Sequence, residues 1–346
     1  MSRPRRCDMS ADTLLLTYRE GLRIPLRDGS ILTSDAGWSC TLRSVQTLVA
    51  NALVRADAPQ FTTARLTLLF DDSTGALGLG ALLHSAPGKP RRWRGPGESS
   101  HLMQRAALRT ANELPFGIVT QADATIVERE IFSTSSTRPT LVLVPLRLNE
   151  SARLSDSSAA ALCAACALPF FIGAIAGVRG HSLTLTGVDD KRFHALDPHR
   201  VQYADTVSLV ALESDWKTVV ASDLESSVSL GFLVRPCDYS SFRAQMLRAL
   251  PVSFTTTRTN PSSVAADLLA DSPVSGGEWV DAAADGDDLL VAPLSPPSSP
   301  IAVNYLTDLA RNTAASAARV WAQLLSTWRT AVRATARTAS QRMHRD

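Results

Sequence analysis

The chain has 346 residues, 45% of them hydrophobic and 20% charged, with a formal net charge of +2. That balance suits one large folded domain or two ordinary ones and excludes a wholly disordered chain. So small a net charge gives no ground for a nucleic-acid partner. Five cysteines (Cys7, Cys40, Cys163, Cys166, Cys237) do not read as a disulfide framework and point to a reducing, cytoplasmic setting.

In chain order, residues 1–13 read as a flexible N-terminus, and the three-leucine run after them is too short for a signal-peptide core. In TSDAGWSCTLRSVQTLV (33–49) a turn precedes a helix. Leu42, Val45, Leu48, Val49, Ala52 and Leu53 recur at helical spacing, which predicts a helix from about Cys40 to Arg55. SSHLMQRAALRTAN (99–112) predicts a second helix, opened by a serine cap after Gly-Pro-Gly. FGIVT (116–120) and TLVLVPLRL (140–148) read as strands, the latter buried on both faces.

Residues 159–178 carry no charge over 20 positions, long enough to span a bilayer. Pro169, Gly173 and Gly177 argue instead for a buried helix to about Ala167, followed by a buried strand FFIGAIAG. HSLTLTGV (181–188) and RFHALD (192–197) form a predicted hairpin, and VSLGFLV (228–234) a further strand. Helices early and antiparallel strands later give an α+β domain over residues 14–250. Residues 251–300 are rich in Ser and Pro and fit a linker. Residues 301–346 predict a basic amphipathic helix. Leu306, Leu309, Val320, Trp321, Leu324, Leu325, Trp328 and Val332 lie on one side, with Arg311, Arg319, Arg329, Arg333 and Arg337 opposite. Those faces suit peripheral contact with a membrane surface, and equally docking on the folded domain or on a partner.

Cys40 stands at a helix entrance, where unpaired backbone N–H groups stabilise a thiolate and a developing oxyanion. A thiol nucleophile also needs a base and a group that orients it. Asp197 and His199 lie two apart at a strand end, with Pro198 between them fixing the backbone, so a carboxylate and an imidazole share one face. His181, at the opening of the hairpin, is a rival base with Asp197 as its orienter, and spacing does not choose between the two histidines. Cys163 and Cys166 form a CxxC with no second pair to complete a zinc site, so they read as packing residues. GALGLGALLH (75–84) lacks the Gly-Lys-Ser/Thr of a phosphate loop. The residues thus call for no metal and no cofactor.

Taken together, TYREG (17–21), TSDAGWSCTLRSVQTLVANAL (33–53), GKPRRWRGP (88–96), TLVLVPLRL (140–148) and HALDPHRVQ (194–202) resemble the autophagins, the papain-like cysteine proteases of autophagy. The resemblance runs in matching order over residues 14–250. It implies a papain-like fold with the nucleophile at a helix N-terminus facing an antiparallel sheet. It implies Cys40 as nucleophile with Asp197 and His199 as its partners, which favours His199 over His181. It further implies Tyr18 in the oxyanion hole with the Cys40 N–H, and Trp93 over the substrate channel. The implied substrate is the ubiquitin-like autophagy modifier, free and lipidated, cut after its C-terminal glycine and released from phosphatidylethanolamine. An inactive modifier-binding protein of the same fold and an isopeptidase for another ubiquitin-like protein are the alternatives. Ser39 stands where the family has a glycine, the step from Lys89 to Trp93 is one residue short, and GVRGHSL (177–183) lacks the proline of the family's gating loop.

Overall fold

The computed structural model describes residues 13–256, apart from 57–60, 112, 123, 134–137, 190–191 and 206–207. The expected N-terminal segment, most of the linker and the basic helix of 301–346 lie outside the described residues.

The first half holds β1 (Tyr18–Pro25), β2 (Ile31–Ser34), α1 (Cys40–Arg55), α2 (Thr63–Leu69), α3 (Leu79–Ser85), α4 (Pro96–Leu108), β3 (Gly117–Thr120), β4 (Thr125–Val127) and α5 (Glu128–Ser133). The second half holds β5 (Thr140–Arg147), α6 (Asp156–Cys166), β6 (Phe171–Val178), β7 (His181–Asp189), β8 (Arg192–Leu196), β9 (Val201–Tyr203), β10 (Trp216–Val220), β11 (Leu224–Val234), α7 (Tyr239–Ala249) and β12 (Ser253–Thr255). A seven-stranded sheet runs in the order β10-β8-β7-β6-β11-β5-β3. Its pairs are antiparallel except at the edge, where β3 joins β5 in parallel. A small sheet, β2-β1-β9, pairs β1 with β9 in parallel.

Helices cover both faces of the large sheet. Along β5, Leu141 and Leu143 join one apolar cluster with Leu48 and Val49 of α1 and Leu102 and Met103 of α4. Val142 and Val144 join the other, with Leu162 of α6 and Phe242 and Met246 of α7. A strand buried on both sides reads as an unbroken apolar run, which is what 141–146 shows. The uncharged stretch 159–178 divides into α6 and β6, and no described helix is long and apolar enough to cross a membrane. The sequence misplaces one helix: α4 begins at Pro96, not at Ser99, with Gly95 as its cap. Proline fits the first helical position because the N–H it lacks has no partner there. Ser99 and Ser100 are instead buried inside the helix, where Ser100 Oγ meets Ser229 Oγ of β11 at 2.8 Å.

Helix α1 lies across the sheet, and every residue from Cys40 to Ala50 is buried. Its close approach depends on two glycines that pair across β6 and β11, Gly173 and Gly231. A Cβ at residue 231 would come within 2.7 Å of Leu48 Cδ2. Gly231→Val is therefore expected to overpack this contact and destabilise the fold by about 1–3 kcal/mol. Urea unfolding checks this; a midpoint equal to that of the unaltered chain would mean that α1 has room to shift.

Candidate active site

The turn before α1 is built by Gly37, whose φ of 85° lies in the left-handed region that side chains disfavour. The chain then enters α1 at Cys40, with the first helical amides free of intrahelical partners. Ser39, the residue at the cap, makes no capping hydrogen bond; its hydroxyl donates to Asp35 Oδ2 at 2.5 Å.

Opposite, the loop after β8 carries Asp197 and His199. The His199 backbone N–H donates to Asp197 Oδ1 at 3.1 Å, and the ring Nδ1 lies 2.5 Å from the same oxygen. This fixes the ring with its Nδ1 proton toward Asp197 and frees Nε2 for other partners. One of those is the Cys40 thiol, whose ionisation His199 favours. Burial alone would raise the Cys40 thiol. The His199 hydrogen bond, the Ser182 backbone N–H, the charge of His199 and the Tyr18 hydroxyl outweigh it and hold the thiol below its ordinary value. For His199, burial works toward the neutral ring, but the hydrogen bonds to Asp197 and Cys40 and their charges carry it up to about 9. Asp197 is held below the usual carboxylate range: burial opposes this, and its hydrogen bonds and charge contact with His199 prevail. The cluster therefore moves the balance toward a thiolate–imidazolium pair.

Tyr18 opens β1 and is buried, with its ring edge-on to that of His199 at 5.3 Å. Its hydroxyl makes no well-formed hydrogen bond, and its polar neighbours are the Cys40 sulfur and the Gly37 N–H. Burial, then the Cys40 charge, push the phenol far above its ordinary value, so it stays a hydrogen-bond donor. The Cys40 side chain itself has no exposed surface.

A buried ion network braces the cluster from behind. Asp35 Oδ1 accepts from the Arg19 backbone N–H at 2.6 Å, and Oδ2 accepts from Arg43 Nε at 2.7 Å. Arg43 Nη1 and Nη2 reach Asp72 at 2.6 and 3.2 Å, and Nη1 also reaches Gln46 Oε1 at 3.1 Å. Asp35 thus ties β1, which carries Tyr18, to α1, which carries Cys40.

The structure brings Cys40, Asp197, His199 and Tyr18 together. It also brings in His181, the rival base, whose Nδ1 lies 3.2 Å from His199 Nε2 although Asp197 serves His199. Trp93 is 53% exposed on the loop before α4. Cys166 is buried, and burial followed by the Cys163 charge raises its thiol well above the ordinary value, which suits a packing residue. Sequence reasoning missed Ser182, which acts through its backbone, and the Asp35–Arg43–Asp72 network. The sequence signal for the network was a pair of charges, Asp35 and Arg43, flanking an uncharged helix start.

A family model of the peptidase C54 catalytic domain matches residues 5–245. The chain is 27% identical over 238 residues to a probable cysteine protease atg4 of Schizosaccharomyces pombe, a match covering 65% of this chain and 71% of that protein. It is 26% identical over 260 residues to a probable cysteine protease atg4 of Aspergillus oryzae, covering 66% of this chain and 62% of the relative. It is likewise 26% identical over 264 residues to the cysteine protease atg4 of Emericella nidulans, covering 68% of this chain and 65% of the relative. The matched part thus spans about two thirds of these relatives' own length.

Proposed function

We propose, since the chain belongs to the peptidase C54 family, that it is a cysteine protease that cuts the ubiquitin-like autophagy modifier after its C-terminal glycine. The same site then releases the modifier from phosphatidylethanolamine, because both reactions break an amide on the glycine carbonyl. The observation that carries this reading is the Asp197–His199 pair, with ring Nδ1 and carboxylate 2.5 Å apart, in electrostatic reach of the Cys40 thiol at the start of α1.

In this mechanism the Cys40 thiolate attacks the glycine carbonyl carbon. The Tyr18 hydroxyl and the Cys40 backbone N–H receive the oxyanion, and the place of that hydroxyl beside the sulfur, held protonated, supports the role. His199 gives its Nε2 proton to the leaving amine, and a thioester forms. A water then passes a proton to Nε2 as it attacks the thioester, the thiolate leaves, and the glycine carboxylate is released. Asp197 holds the ring and balances the imidazolium charge throughout. A glycine before the cut suits a narrow approach past Trp93, since no side chain has to pass. Residues 14–250 carry the chemistry, and docking of the folded modifier supplies the specificity.

The test is incubation with a C-terminally extended modifier, with the Cys40→Ala chain as control. Cleavage at the glycine by the unaltered chain alone is expected. Binding without cleavage would reduce the protein to a modifier-binding module, and cleavage of only another ubiquitin-like protein would redirect it.

A further inference from the structure

We propose that His181 is a positioning residue for the reacting pair: its Nδ1 accepts the outward Nε2–H of the His199 imidazolium and so stabilises the charge-separated state of Cys40 and His199. The geometry points there directly. His181 Nδ1 stands 3.2 Å from His199 Nε2, and the two rings meet edge to face at 4.8 Å between centroids. His199 Nδ1 is already committed to Asp197. The proton at Nε2 therefore has two acceptors, the Cys40 sulfur and His181.

The fold places His181 deliberately. Strands β6 and β7 are joined by a two-residue turn, Arg179 at φ 50° and Gly180 at φ 81°, the left-handed pair of a tight hairpin. Glu225 of β11 accepts from the Gly180 N–H at 2.9 Å. A Cβ at Gly177 would come within 2.1 Å of the same carboxylate, so the strand is pressed flat against it. The next residue of the hairpin is His181, and the one after it, Ser182, gives its N–H to the Cys40 sulfur. One strand start thus serves both halves of the ion pair, with Ser182 on the thiolate and His181 on the imidazolium.

The sign of the effect follows from the protons. Neutral His181 keeps its own proton on Nε2 and offers a lone pair at Nδ1. In that state it stabilises the imidazolium and lowers the pH at which Cys40 ionises. Protonated His181 presents an N–H to an N–H and withdraws that support. The other charged or titratable groups around the contact are Asp197 on the same loop as His199, Cys40 of α1, Tyr18 of β1, Arg179 of the turn, Glu225 of β11, and Lys217 of β10 acting on Asp197. When the leaving amine arrives it takes the place of His181 at Nε2, so the contact belongs to the waiting enzyme.

The role rests on reading Cys40 and His199 as the reacting pair, and it can be tested without any substrate. The full chain is alkylated with iodoacetamide across a pH series, and modification of Cys40 is followed by peptide mass spectrometry. The unaltered chain should show Cys40 reacting below the ordinary thiol range. His181→Ala should move the rise in reactivity to higher pH and lower the rate on it by about three- to tenfold. His181→Asn places an acceptor oxygen where Nδ1 was. It should restore the rate. A His181→Ala profile that overlays the unaltered chain, or an Asn variant as slow as the Ala variant, overturns the proposal. Cys40 reacting as an ordinary thiol in every chain overturns the reading of the pair itself, and the proposal with it.

Discussion

His199→Ala is expected to lower kcat/KM for the extended modifier by about 10⁴-fold while leaving the chain folded. Two losses combine. The leaving amine has no proton donor, and the thiol loses the partner that ionises it. Of the influences that lower the Cys40 thiol, the His199 hydrogen bond is the first and its charge another. With both gone, burial is opposed by fewer influences and the thiol rises. Residual cleavage should therefore climb with pH well into the alkaline range. The unaltered chain should behave differently on both sides. Its activity falls on the acid side as the lowered thiol takes up a proton. On the alkaline side it falls near pH 9, where the His199 imidazolium, raised to about 9, gives up its proton. Initial rates over a pH series on both chains check this. An unaltered chain with no alkaline fall, or a His199→Ala chain within tenfold of it, would mean that His199 is not the proton carrier.

The parts of the fold that were legible in the sequence are those in which local pattern and tertiary burial agree. Helix α1 was readable because apolar residues recur at helical spacing over its whole length. Strand β5 was readable because burial on both faces leaves an unbroken apolar run. The start of α4 was misread because Ser99 looks like a cap, whereas Pro96 at the first helical position sets the boundary. The parallel pairing of β3 with β5 was not readable either, since strand direction depends on the path of the intervening chain and not on side-chain pattern.

The candidate site divides in the same way. Asp197 and His199 are near neighbours in sequence, so their pairing could be argued from the chain alone. The contact of His199 with Cys40 joins residues 159 positions apart and needed the resemblance to suggest it. His181 was singled out as a competitor for the same role, and two-residue spacing offered no reason to place it beside His199. That placement comes from the hairpin turn and from Glu225, and neither can be read from His181 itself.

Arg43→Met should cost about 3–5 kcal/mol of stability and lower the melting temperature by about 10 °C. Arg43 is fully buried and bridges two carboxylates, Asp35 and Asp72, with its Nε on one and its Nη1 and Nη2 on the other. Burial would lower its pKa, but the charges and hydrogen bonds of Asp35 and Asp72 raise it above the ordinary value, so the guanidinium stays charged. Its removal leaves two carboxylates in the interior without the guanidinium that joins them, beside Arg19, whose Nε is 3.8 Å from Asp72. Methionine fills most of the volume, so the loss is mainly electrostatic. The consequence reaches the site, because Asp35 holds the Arg19 backbone, next to Tyr18, and the Ser39 hydroxyl, next to Cys40. At a temperature where the variant is still folded, kcat should fall more than KM rises, since a tilted Tyr18 weakens binding of the oxyanion rather than of the modifier. Arg43→Lys keeps the charge but cannot span both carboxylates, so it should recover only part of the stability. Thermal unfolding followed by steady-state kinetics decides the matter. A Met variant that melts within about 2 °C of the unaltered chain, with unchanged kcat, would show that the network neither supports the fold nor aligns Tyr18 with Cys40.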